Sequence, residues 1–192
     1  MTVFHVKSTE VIIIKKEGFM ELTGKRIAIL IEDMYNEFEF WYPYYRMKEA
    51  GAKVTVIGSG VIVKEYHSKI GMPALAGVTA ESISASDFDA VIIPGGYAPD
   101  RMRRNPAMVK LVRDSFTQGK IVAAICHAGW VLISAGILKG KKATCVPSIK
   151  DDMVNAGAIY LDQEVVREGN LITSRSPDDL PAFCREIIAA LK

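Results

Sequence analysis

A single thiol stands at the point in this chain best suited to nucleophilic chemistry. Residues 121–130 (IVAAICHAGW) read as a short buried strand that runs into a sharp turn and then a helix, with Cys126 at the corner. A cysteine in that position faces the unpaired N–H groups of a first helical turn, whose partial positive charge favours thiolate over thiol. Ala128 and Gly129 are small enough for a tight turn, which is the mechanical logic of a nucleophile elbow with sulfur in place of oxygen. A cysteine ending an apolar strand is otherwise plain core, and His127 is what adds weight to the catalytic reading. Its imidazole can act as base or cation toward a thiolate, although adjacent residues on an extended chain point apart and need not touch. A second group is Glu39, flanked by Phe38 and Phe40 and followed by Trp41 and Tyr42. A carboxyl among aromatic rings has a raised pKa and can exchange protons near neutrality.

The elements that would bring these groups together alternate along the chain. Residues 26–31 (RIAILI) are a continuous apolar run, as expected of a parallel strand buried on both faces. Asn36 caps a helix that Gly51 stops, with Pro43 inside it predicting a kink or a late start. Residues 53–57 form the second strand, and residues 61–63 open a small antiparallel excursion with the segment near Lys69. Residues 90–94 are the next buried strand, and they end in Gly95 and Gly96, where positive φ and a close backbone approach to a ligand become possible. Asn105 and Pro106 start a helix to Gln118, followed by the strand that delivers Cys126. The remainder predicts strands at 142–145 and near Ile159, a short helix over 148–155, a hairpin over 164–173, and a last helix capped by Ser176. Alternation of this kind predicts a doubly wound α/β layer sandwich, in which the loops after Ile31, Ile93 and Ile125 converge and Glu39 can reach Cys126.

Composition narrows the function classes. At 192 residues and 49% hydrophobic content the chain suits one domain with a proper core. A net charge of +2, from 24 basic and 22 acidic residues spread along the sequence, implies neither a nucleic-acid surface nor a membrane-attracting patch. The three cysteines (Cys126, Cys145 and Cys184) and three histidines lack metal-ligand spacing, so no metal is expected, and a reducing cytoplasmic setting is. No apolar run approaches the roughly 20 residues of a membrane span, and a signal peptide's apolar core and cleavage site are absent. Residues 1–24 look like an extension, with an edge strand conceivable at Val11 to Ile14, and Met20 is an equally good start for the regular pattern.

Four motifs in this order resemble a known family. Glu39 within Asn36-Glu37-Phe38-Glu39-Phe40, residues 94–100 (PGGYAPD), Cys126 and His127 in AICH, and residues 148–152 (SIKDD) are similar to PfpI-type members of the DJ-one/PfpI superfamily over residues 25–192. The resemblance implies a flavodoxin-like three-layer sandwich with a mostly parallel central sheet and a cysteine nucleophile elbow. It implies Cys126 as nucleophile, Glu39 as the carboxyl bonded to it, and the N–H groups of Gly96 and His127 as an oxyanion hole. Gly95, Tyr97 and Trp130 would line the pocket. In oligomeric, peptidase-like members an acidic residue of a neighbouring subunit orients the histidine, and Asp100 matches that position. A homo-oligomer, a dimer or a trimer of dimers, is therefore expected, with Tyr97 and the aromatic run 40–45 as interface surface.

The chain departs from the pattern in two places: Ala128, Gly129 and Trp130 follow Cys-His where Gly-Pro is common, and Val146 replaces a tyrosine often found near the site. Ser176, Pro177 and Asp178 stand where related amidotransferases carry His-Pro-Glu, which argues against that triad. The resemblance then implies three activities in order of preference. The first is a cofactor-free, glyoxalase- or deglycase-like conversion of small α-oxoaldehydes to hydroxy acids in stress protection. The second is peptide hydrolysis by Cys126, His127 and Asp100. The third is oxidation sensing by Cys126 in a stress or chaperone protein.

Overall fold

The computed structural model describes residues 20–60, 62 and 64–192. The edge strand considered at Val11 to Ile14, and Val61 and Val63 of the expected excursion, lie outside these residues. The described part opens with a turn at residues 21–24 whose Leu22 is fully buried and whose Leu22 N–H donates to the Ala50 carbonyl at 2.7 Å.

Strand β1 (Arg26–Ile31) buries Ile27 through Ile31 completely. Its apolar side chains, each worth about 1.5–3 kcal/mol when removed from water, explain why it takes an interior position in the sheet. Helix α1 (Glu37–Glu49) follows, then β2 (Lys53–Gly58), β3 (Glu65–His67), β4 (Pro73–Leu75), β5 (Val78–Thr79) and β6 (Ala90–Ile93). Helices α2 (Ala98–Met102) and α3 (Pro106–Thr117) lead to β7 (Ile121–Ile125) and α4 (Gly129–Ala135). The chain closes with β8 (Lys142–Ala143), α5 (Lys150–Asn155), β9 (Ile159–Tyr160), β10 (Val165–Glu168), β11 (Leu171–Ser174) and α6 (Leu180–Leu191).

Seven strands form the main sheet in the order β10-β11-β7-β6-β1-β2-β5. All adjacent pairs are parallel except the β10–β11 hairpin. From β1 the chain first steps to β2 on one side and later to β6 on the other. Right-handed crossovers running in opposite directions place their helices on opposite faces. Accordingly α1 packs with α6, and α3 packs with α4. The result is the expected three-layer α/β sandwich, with the crevice at the carboxyl ends of β1 and β6 where the strand order reverses.

Local differences from the sequence reading have physical reasons. Helix α1 runs unbroken through Pro43, because the Asn36 side chain accepts from the N–H groups of Phe38 and Glu39 and secures the first turn. The antiparallel excursion pairs Glu65–His67 with Pro73–Leu75, later than expected, around a turn in which Ser68 Oγ accepts from the Ile70 and Met72 N–H groups. The strand expected over 142–145 shrinks to a two-residue pairing of β8 with β9 outside the main sheet. Ser176 does not cap α6: its side chain makes no cap bond, and a one-turn 3-10 segment, Pro177–Asp179, precedes the helix. Arg175 holds that turn through Asp179 at 2.9 Å.

Candidate active site

The carboxyl ends of β1 and β6 are joined by backbone alone. Asn36 N–H donates to the Gly95 carbonyl at 3.2 Å, Tyr97 N–H donates to the Met34 carbonyl at 2.9 Å, and Tyr35 bridges Gly96. Gly96 has φ of 76°, and a Cβ there would lie 2.6 Å from both Asn36 N and Met34 O. Only glycine permits this approach. Its consequence is to seat the first turn of α1, and with it Glu39, beside the Gly95 backbone.

Glu39 is completely buried, and its Oε2 accepts the Gly95 N–H at 2.7 Å. A Cβ at residue 95 would lie 2.6 Å from that oxygen, 2.8 Å from Cys126 Cβ and 3.0 Å from His127 N. Three groups that the sequence separates widely therefore converge on one point. Burial raises the Glu39 carboxyl to about 7, against the opposing pull of the Gly95 N–H and the Cys126 thiol.

Cys126 has the positive φ of an elbow, 62°, an unfavourable conformation for a side chain with a Cβ. A single 3-10 turn, Cys126–Ala128, separates it from α4, which has only seven residues. The expected thiolate stabilisation by a helix N-terminus is therefore not the governing influence. Burial, then the charge of Glu39, push the thiol up to about 12, while the His127 and Gly96 N–H groups favour the thiolate. The two N–H groups named from the sequence as an oxyanion hole thus both bear on the sulfur. The pair titrates jointly: with the proton on Glu39, the charge opposing the thiolate is gone.

The same turn brings the neighbouring side chain to the sulfur. Cys126 Sγ lies 3.3 Å from His127 Nδ1, although neighbours on an extended chain would diverge. Burial, then the Lys69 charge, lower the His127 pKa and keep the imidazole neutral at neutral pH. The Tyr97 ring lies 6.4 Å from it, and Trp130 meets it edge-on at 5.3 Å. Trp130 Nε1–H donates to Asp152 Oδ2 at 2.8 Å.

Asp100 behaves differently. It lies exposed in α2 and makes no hydrogen bond to His127 within the chain, nor does it cap the helix, whose cap position is Tyr97. The group that does reach His127 Nε2 is Ser148 Oγ, at 3.2 Å. Sequence reasoning placed Ser148 in a motif but gave it no role, because the spacing says nothing about which side chain of that turn faces inward. Lys69, whose charge acts on both Glu39 and His127, was also missed.

An open-edged, mostly parallel α/β sheet with a strained cysteine elbow, a buried carboxyl and a histidine at the switch point defines a protein of flavodoxin-like architecture. The chain belongs to the DJ-1/PfpI family, whose model matches residues 25–190. It is 43% identical over 169 residues to a protein of Pyrococcus abyssi named as a deglycase, covering 87% of this chain and 99% of that one. It is 41% identical to a Bacillus subtilis protein named as a putative cysteine protease, YraA, covering 88% and 99% respectively. Among solved structures, a two-domain protein of Anabaena variabilis with DJ-1/ThiJ/PfpI-like and ferritin-like domains matches with a TM-score of 0.85 and 48% identity. That match covers 87% of this chain and 48% of the larger protein. Among the described residues no helix is long and apolar enough to cross a membrane.

Proposed function

We propose that the protein is a cofactor-free, cysteine-dependent enzyme that converts small α-oxoaldehydes, free or as early adducts, to α-hydroxy acids. The observation that carries this reading is the buried Glu39 carboxyl, held near a pKa of 7 against Cys126. A proton carrier poised at working pH is what a shift of hydrogen between adjacent carbons requires. The deglycase names of relatives lend it support.

With methylglyoxal as the test substrate, the Cys126 proton passes to the His127 Nδ1 lone pair and the sulfur adds to the aldehyde carbon. The aldehyde oxygen, developing charge beside the Gly96 and His127 N–H groups, takes that proton to give a hemithioacetal. Ionised Glu39 then removes the hydrogen of the former aldehyde carbon as a proton and returns it to the adjacent carbon, while the hydroxyl proton of the hemithioacetal passes to the former ketone oxygen, leaving a hydroxyacyl thioester. Water, deprotonated by neutral His127, cleaves the C–S bond and releases lactate and the thiol. No net oxidant is consumed.

Peptide hydrolysis is the second reading, favoured by the 3.3 Å Cys126–His127 contact. Among the described residues it lacks an orienting carboxylate. A homo-oligomer belongs to the proposal, since the exposed Phe38, Tyr42 and Tyr45 of α1 form an apolar surface. Product analysis with methylglyoxal, beside Cys126→Ala and Glu39→Gln, tests the main reading. Lactate formation that persists in Cys126→Ala would rule it out.

A further inference from the structure

We infer that Ser148 is a positioning residue that holds His127 in its Nε2–H tautomer, so that the Nδ1 lone pair faces Cys126 and the cysteine–histidine pair is complete within one chain. The mechanism this serves rests on the function proposed above, but the geometry stands apart from it.

The turn that carries Ser148 is pressed onto the elbow from outside the main sheet. It is a 3-10 turn, Pro147–Ile149, between β8 and α5, closed by the Ile149 N–H donating to the Val146 carbonyl at 3.2 Å. Gly129, the first residue of α4, receives it. A Cβ on Gly129 would lie 2.6 Å from Met153 Sδ and 2.9 Å from Ile149 Cδ1, so any side chain there would push the turn away. One residue on, the Trp130 indole N–H donates to Asp152 at 2.8 Å and clamps α5 to α4 a second time. Between these fastenings Ser148 Oγ is set 3.2 Å from His127 Nε2.

The tautomer follows from what each ring nitrogen meets. A neutral imidazole has one N–H and one lone pair. At Nδ1 the neighbour is the Cys126 sulfur, and because Glu39 Oε2 is taken by the Gly95 N–H and Oε1 has no hydrogen-bond partner among the described residues, the proton of the buried thiol is assigned to Nδ1. A lone pair at Nδ1 matches it, and the N–H must then sit at Nε2. Ser148 can accept that N–H, whereas an alanine could not. An uncharged hydroxyl also differs in effect from the carboxylate expected at this nitrogen. It fixes the ring without drawing a positive charge onto it, leaving a neutral base.

Nitrogen-15 NMR of the histidines, assigned through His127 variants, reads the tautomer directly and needs no substrate. In the wild-type protein at pH 7.5 the protonated nitrogen of His127 should be Nε2. Ser148→Ala should give a mixture of tautomers, Ser148→Thr should restore the wild-type signal, and the rate of Cys126 alkylation should follow the same order. Methylglyoxal turnover should fall on the order of tenfold in kcat in Ser148→Ala, as expected for one lost hydrogen bond, with KM little changed and recovery in Ser148→Thr. A His127 protonated at Nδ1 in the wild type, or a tautomer unaltered in Ser148→Ala, would overturn the assignment. Tautomer and alkylation effects without any methylglyoxal turnover would leave it standing and sink the proposed substrate instead.

Discussion

Glu39 and Cys126 meet over a glycine: the Gly95 N–H donates to Glu39 Oε2 at 2.7 Å, and the space above Gly95 is bounded by that oxygen and by Cys126 Cβ. Burial and mutual charge let the two groups hold one negative charge between them and oppose a second.

Gly95→Ala should therefore damage the site rather than only the fold. The added methyl group would sit 2.6 Å from Glu39 Oε2 and 3.0 Å from His127 N, both held by the sheet edge. Overpacking of this kind costs roughly 1–3 kcal/mol. Denaturant titration should show that modest loss, while turnover falls far more than the lost stability explains.

Glu39→Gln should remove nearly all conversion of methylglyoxal, a loss on the order of 10²–10⁴, because an amide cannot carry the proton between carbons. Asp100→Asn, altering an exposed side chain, should have the smaller effect. The ranking reverses if peptides are the substrate, since loss of an orienting carboxylate costs about 10⁴ in the serine-triad precedent. Parallel assays on an α-oxoaldehyde and a fluorogenic peptide distinguish the two.

The raised Glu39 pKa also makes stability depend on pH in a definite direction. A carboxyl that titrates near 4.5 when unfolded and about 7 when folded binds more protons in the folded state between those values. Its favourable contribution is complete below pH 4.5 and is lost as pH rises through 7, on the order of 3 kcal/mol in all. Unfolding free energies at pH 5 and pH 8 should differ by less in Glu39→Gln than in the wild type. An identical difference in both proteins would contradict the burial cause.

Of the three thiols, Cys126 should alkylate fastest. It is 9% exposed against 1% for Cys145 and Cys184, and it alone has N–H groups directed at its sulfur. Burial raises Cys145 and Cys184 to about 12 with no such partners. Peptide mapping after timed iodoacetamide treatment of the folded protein measures the order.

Light scattering of the full chain should give a multiple of 21.1 kDa. A monomer at every concentration would rule out the oligomer, and with it any contribution of a neighbour's Asp100 to the site.

The sheet, its strand order of events and the elbow were legible because each rests on a strong local signal: the five consecutive buried residues of β1, the paired glycines after β6, and the run into Cys126. Glu39 was legible for its aromatic setting. What was not legible depends on distant packing. The sequence reading assigned Cys126 a thiolate-favouring helix-end environment, but burial of the sulfur and the charge of Glu39 outweigh it. Ser148 becomes visible only once Gly129 is known to receive Ile149 and Met153. The β3–β4 register depended on Ser68, whose hydroxyl organises the turn in a way no periodicity reports.

The ends of β6 and β7 and the first turn of α1 position Gly95, Cys126 and Glu39, whereas Ser148 and the partner of Trp130 come from the segment between β8 and β9, which pairs in a sheet of its own. The thiol and the buried carboxyl are thus inherited with the core, and the contacts around the imidazole are carried by a separable piece. Replacing residues 146–152 by other sequences that keep Ile149, with Met153 beyond them unchanged, would retune the imidazole and through it the reactivity of the sulfur without disturbing the fold that seats Cys126, which gives this scaffold a natural point for divergence.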